Sequence, residues 1–313
     1  MHQSETIMPH NNRSMISGYF LVLLGALGFS AKAVLVKLAY RYSVQLDAIT
    51  LLVLRMLISL PFFLAVAGWS VRGSAINECY VLTKQDWLMI FGLGLLGYYA
   101  ASFLDFAGLK YISAGLERLI IFLYPTFVVL FSALLHRKAI NRHQVFAVVL
   151  SYSGMVLVYL DNKAVLSSKL WLGSFLVLAS AIAFSFFLIY CGMLLKRIGS
   201  TRFTAYTMTV ACLATGLHFF IDHGVVALNL PTSVYWVALM MAIFSTVLPA
   251  FCMNAGIKRI GAGSAAIISS IGPVGTLTLA FLLLGETLSL AQLAGTALIL
   301  IGVYVVSRAN VRE

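Results

Sequence analysis

The stretch FLDFAGLKYISAGLERLIIFLYP, Phe103–Pro125, returns later in the same chain as FCMNAGIKRIGAGSAAIISSIGP, Phe251–Pro273. The two align without a gap at an offset of 148, and the alignment runs on to Leu160 and Arg308. Matches include Ala107/Ala255, Gly108/Gly256, Lys110/Lys258, Ala114/Ala262, Gly115/Gly263, Pro125/Pro273, Gln144/Gln292 and Gly154/Gly302. Apolar segments share Leu and Ala by composition alone. That does not account for A-G-x-K-x-I-x-A-G and a proline at one offset. An earlier pair, GYFLVLLGALGFS from Gly18 and GSFLVLASAIAFS from Gly173, aligns at an offset of 155. The chain therefore reads as two copies of one unit, residues 18–160 and 171–308. A polar segment, residues 1–17, precedes them and is expected to be disordered and cytoplasmic.

Composition names the solvent. Of the 313 residues 61% are hydrophobic and 10% charged, and mean hydropathy is +0.99. A soluble domain carries about 25% charged residues. Lipid leaves no water to satisfy the backbone, so helices must span it. The runs are continuously apolar, unlike the alternating strands of a membrane barrel.

Spans of about 20 apolar residues occur ten times: Gly18–Leu38, Ala48–Trp69, Trp87–Gly108, Ala114–Leu135, Gln144–Leu160, Trp171–Leu195, Phe203–Ile221, Val234–Ile257, Ser264–Leu284 and Leu288–Val306. The first run is too long for a signal-peptide core and is read as an uncleaved helix. The expected fold is an all-α integral membrane protein of ten transmembrane helices. Five helices per unit is an odd number, so the second copy enters the membrane inverted, a device of secondary transporters.

Basic residues set the orientation. With the N-terminus in the cytoplasm, the inner loops and ends hold Arg13, Arg72, Lys84, Arg137, Lys138, Arg142, Lys196, Arg197, Arg202, Lys258, Arg259, Arg308 and Arg312. The outer loops hold Lys37, Arg41, Lys110, Lys163 and Lys169. Thirteen against five obeys the positive-inside rule and places both termini in the cytoplasm. The same scatter accounts for the net charge of +11 and excludes a nucleic-acid face, which needs clustered basic residues.

Motif elements carry a family resemblance over nearly the whole chain. They are FSAKAVLVK at Phe29–Lys37, Leu54–Arg55, LKYISAG at Leu109–Gly115 and YPT at Tyr124–Thr126. Further on come IGP at Ile271–Pro273, Gly285–Glu286 and QLAGTALILIG at Gln292–Gly302. Together they resemble the EamA-type branch of the drug/metabolite transporter superfamily. The resemblance implies ten helices, cytoplasmic termini, and movement of small molecules such as amino acids across the inner membrane. The chain departs from the family pattern at Phe29-Ser30, where Trp-Gly is usual, and at Arg137-Lys138, where Gly-Glu is usual.

Five charged residues fall inside or at the margins of helices: Lys32, Arg55, Asp105, Glu117 and Arg118. Each costs about 2.5–3.5 kcal/mol at a helix centre on the insertion scale, so they should face a protein interior or a wet cavity. All lie in the first unit. The counterparts of Lys32, Asp105, Glu117 and Arg118 are the apolar Phe187, Met253, Ala265 and Ala266. The five are candidate substrate contacts or ion pairs bracing helices. Arg118, helped by Lys32, is the candidate for holding a substrate carboxylate. Tyr98, Tyr99, Phe122 and Tyr124 are candidate cavity lining or simple packing, and Ser269 and Ser270 candidate hydroxyl donors or bonds back to their own helix. Pro125 and Pro273 each remove a backbone donor and are candidate breaks or hinges.

Other classes find little support. His218 and His223 flank Asp222 in HFFIDH and are the sole hint of an intramembrane metal enzyme. No phosphate-binding loop points to ATP. Cys79, Cys191, Cys212 and Cys252 suggest no disulfide framework. The expectation is a secondary transporter, not an enzyme, without cofactor or metal. It exports amino acids or related metabolites by alternating access, and cation or multidrug efflux is the alternative. A monomer suffices for this, and a dimer stays open.

Overall fold

The computed structural model describes residues 12–73, 82–136, 142–161, 168–224, 229–269, 271–287 and 289–311. Cys79, Arg137, Lys138, Lys163 and Ser270 lie outside them. Every regular element among the described residues is helical. The first unit holds α1 (Asn12–Tyr42), α2 (Ala48–Gly73), α3 (Lys84–Leu93) running through a π-helical stretch Gly94–Ala100 into α4 (Ala101–Leu109), α5 (Ala114–Ile121), α6 (Tyr124–His136) and α7 (Arg142–Asp161). The second holds α8 (Ser168–Ile198), α9 (Ser200–His223), α10 (Thr232–Ala242) running through the π stretch Ile243–Val247 into α11 (Leu248–Ser269), α12 (Gly272–Leu279) with a π end Ala280–Leu284, and α13 (Leu290–Val311).

Among the described residues seven helical segments are long and apolar enough to cross a membrane, and three shorter apolar ones join them. They follow the order of the expected spans. The chain is an all-α membrane protein of two repeats, and its surface carries exposed apolar side chains such as Trp69, Leu88, Phe175, Leu217, Phe220 and Leu282.

The expected turn between the eighth and ninth spans takes an unusual form. α11 keeps helical hydrogen bonding from Leu248 to Ser269. Yet Ser269 Oγ lies 3.6 Å from Met253 Sδ, and a straight helix would part residues sixteen apart by about 24 Å. The chain therefore reverses within α11. In the first unit the matching turn, Lys110–Ser113, is open because Ser113 caps α5 by accepting from Leu116 N–H at 3.1 Å. The residue matching Ser113 is Gly261, which has no side-chain oxygen to compete for helix-end donors.

Packing repeats with the sequence. Both π stretches precede the same point of the alignment, and both broken helices, α5/α6 and α11/α12, part just before Tyr124-Pro125 and Gly272-Pro273. A Cβ on Gly108 would meet the Gly173 carbonyl at 2.8 Å and the Val177 side chain; one on Gly256 would meet the Gly18 carbonyl at 3.1 Å and Val22. These are matching positions, 108 with 256, 173 with 18 and 177 with 22. α4 thus crosses α8 as α11 crosses α1, backbone against backbone, which small residues permit in lipid. α7 and α13 likewise meet at Gly154 and Gly295.

Candidate functional site

The charged side chains of the first unit converge from four helices. Lys32 on α1 pairs with Asp105 on α4 at 2.5 Å. Asp105 is 1% exposed and its Oδ1 has no hydrogen-bond partner. Arg55 on α2 is buried, with its guanidinium over the Phe106 ring at 4.9 Å and Nη2 3.3 Å from Ser102 Oγ. It therefore braces α2 against α4 and forms no ion pair with Asp105. Glu117 and Arg118 on α5 are both buried, at 0% and 7% exposure. Among the described residues neither Glu117 oxygen meets a donor, the Asp105 carboxyl being the side chain within hydrogen-bonding reach, and Arg118 Nε has no partner.

Arg118 lies at the junction of the two broken helices. Its guanidinium is over the Phe122 ring at 5.3 Å. A Cβ on Gly272, the first residue of α12, would stand 3.0 Å from Arg118 Nη2. A side chain there would displace the guanidinium, so bare backbone is what admits it. α12 starts with Pro273 in its first turn, where the missing N–H costs nothing. Pro125 is the second residue of α6 and does the same. The prolines thus begin the second half-helices; the breaks fall one turn earlier than mid-helix kinks at the prolines would.

Two serines anchor these breaks symmetrically. Ser30 Oγ on α1 lies 2.9 Å from the Gly272 carbonyl and 2.7 Å from that of Ala26. Ser185 Oγ on α8 lies 3.1 Å from the Tyr124 carbonyl and 2.6 Å from that of Ala181. The serines match at the 155 offset and the carbonyls at 148. Both end the Phe-Ser of the early repeat pair, which was the available signal for them.

The tyrosines belong to an aromatic row. Tyr124 stands edge-on to Phe122 at 6.1 Å and to Phe184 at 5.4 Å, Phe184 stacks on Phe187 at 5.6 Å, and Tyr98 meets Phe187 at 5.0 Å. Tyr98 and Tyr124 are thereby brought to one side of α8. Ser269 instead points back to Met253.

Three contacts escaped residue-by-residue reading because each joins distant segments. Glu286, beyond α12, caps α5, accepting from Ala114 N–H at 2.9 Å and Gly115 N–H at 3.2 Å. Arg41 donates to the Leu284 carbonyl at 2.6 Å. Asp86, fully buried, closes a capping box with Thr83 and pairs with Arg197 at 2.9 Å.

The two histidines go to separate partners. His218 bonds the Tyr99 hydroxyl at 2.8 Å and Asp222 at 3.2 Å, while His223 meets Asp47 at 2.9 Å. No group of three metal-ligating side chains forms among the described residues. A groove of about 600 Å³ along α7 is lined by Val148, Val149, Tyr152, Ser153, Val156 and Leu157, with none of the charged cluster among them.

Comparison with known proteins agrees with this architecture. The model of the EamA-like transporter family matches twice, at residues 16–160 and 171–308. A Bacillus subtilis (strain 168) protein named as an uncharacterized transporter, YcbK, is 32% identical over 287 residues, 90% of each chain. An Archaeoglobus fulgidus protein named as an uncharacterized transporter is 26% identical over 252 residues, 79% of this chain and 89% of that one. A solved crystal structure shares the fold, with TM-score 0.59 at 19% identity over 96% of this chain and 99% of that one. The chain belongs to the EamA-like transporter family.

Proposed function

We propose that this membrane transporter is a secondary carrier of the cytoplasmic membrane, with both termini inside. It moves small metabolites bearing a carboxylate, amino acids or related compounds, outward by alternating access between its two repeats. Arg118 holds the carboxylate, and the positive charge of Lys32 favours the anion's arrival.

One observation carries this reading. Arg118 is a buried guanidinium with an unpartnered Nε, against the bare backbone of Gly272 where both repeats break. A guanidinium offers a carboxylate two parallel hydrogen bonds, which a lysine cannot reproduce. Broken helices place such groups at the centre of carriers. Lys32 is already held by Asp105, so it acts at a distance.

The test is flux of a ¹⁴C-labelled amino-acid mixture into proteoliposomes, with expression and melting temperature measured beside it. Arg118→Lys should impair flux, and Arg118→Ala should abolish it in a protein that still inserts. Full flux in well-expressed Arg118→Ala refutes the site. Loss of expression, restored by adding Glu117→Ala or Asp105→Ala, assigns Arg118 to bracing instead.

A further inference from the structure

The Glu117 carboxyl has no use in the carboxylate reading above, and its surroundings are unusual. It is 0% exposed, and among the described residues neither oxygen meets a donor. The groups acting on it are Asp105 from α4, both as a charge and as a carboxyl within hydrogen-bonding reach, Lys32 from α1 and Arg118 from its own helix. Arg55 on α2 acts on Asp105 behind them. α12 has no charged residue, and those of α7 and α8, Arg142, Asp161, Lys169, Lys196 and Arg197, lie near their ends.

Neither cation serves Glu117 by contact. Lys32 is spent on Asp105 at 2.5 Å, and Arg118 lies over Phe122. An ionised carboxylate buried without a donor costs several kcal/mol, far more than its neutral acid. A carrier that alternates must expose this region to water in another state, where the carboxylate is hydrated and the cost vanishes. Burial and exposure of one carboxyl then amount to taking up a proton on one side and releasing it on the other.

We infer that Glu117 is the coupling-proton site of this transporter. It holds a proton on its carboxyl in the arrangement described here and gives it to water when the site opens, so a proton gradient drives the substrate. The repeat counterpart is Ala265, so the second repeat offers no carboxyl at this position, and the site carries one proton per cycle. A metal cation fits poorly, because hard cations gather six or more oxygens. Here the neighbouring Asp105 is already bridged by an ammonium. The inference rests on the transporter reading, and its test separates the two.

Infrared spectra of the purified protein in nanodiscs need no substrate. The wild type should show a protonated-carboxyl stretch at pH 7 that Glu117→Gln removes and Asp105→Asn leaves. Absence of that band in the wild type, or its survival in Glu117→Gln, overturns the inference. Proteoliposomes given the labelled amino-acid mixture in the outer medium form the second arm. In the wild type a pH gradient should drive accumulation up to about tenfold per pH unit for one proton. Whatever flux remains in Glu117→Gln should ignore the gradient. Wild-type flux that answers to sodium or to neither gradient overturns the proton site while leaving transport intact. No labelled flux at all in the wild type instead counts against the substrate reading, and the infrared band then decides the proton site alone.

Discussion

Glu286→Ala should loosen the α5 half-helix, and the structure sets the size of the effect. Glu286 follows Gly285, whose φ of +65° is the left-handed turn that ends the preceding helix. From there its carboxylate reaches across to the other repeat and accepts from Ala114 and Gly115 at 2.9 and 3.2 Å. α5 has eight residues, too few to persist without support. A hydrogen bond to a charged group contributes about 1.5–3 kcal/mol, and loss of a helix cap costs about 0.5–2 kcal/mol. Glu286 is partly exposed and Ser113 still caps Leu116, so about 2 kcal/mol is a fair figure for Glu286→Ala. Glu286→Gln keeps one acceptor oxygen and should lose about half of that. The assay is hydrogen exchange by mass spectrometry on the peptide covering Ala114–Ile121. A 2 kcal/mol loss reads as roughly thirtyfold faster exchange, with α7 or α9 unchanged. Protection of that peptide equal to wild type would refute the cap's role in holding α5.

The remaining predictions concern the repeats. Gly108→Ala and Gly256→Ala each force a Cβ into a facing backbone and should each lower stability by about 1–3 kcal/mol, read as thermal melting in detergent. A large effect at one with none at the other would contradict symmetric packing. For orientation, reporter fusions after Lys138 and Arg197 should report cytoplasm, and fusions after Lys163 and Gly224 the outside. The reverse pattern at either pair would overturn the cytoplasmic termini.

Much of this was legible in the sequence for identifiable reasons. A hydrophobic span announces itself because lipid tolerates little else, and the repeat announced itself through Gly and Pro positions that backbone contact demands. Gly108 and Gly256 matched because α4 and α11 each press on another helix. The charged cluster was legible because membrane charges are costly, but its pairing was not. Residue order cannot tell that Lys32 would take Asp105 while Arg55 would rest on Phe106. The reversal inside α11 was expected as an open turn; without a cap at Gly261, helical bonding carries through it. Glu286 stands out in the sequence only as half of a Gly-Glu motif, since nothing local reveals that its partners lie 171 and 172 residues away. The Ser30 and Ser185 pair was printed twice in the chain, yet its meaning depended on carbonyls freed at breaks in other helices.

The central claim is alternating access, and counterflow tests it most directly. Proteoliposomes holding purified protein are loaded with an unlabelled amino-acid mixture and diluted into the same mixture carrying ¹⁴C at trace level. A carrier that exposes one site to each side in turn must draw label inward against its own gradient, transiently, as the unlabelled pool exchanges out. The account predicts that overshoot in the wild type and its loss in Arg118→Ala. Label that only equilibrates, at a rate indifferent to the internal pool, would contradict it.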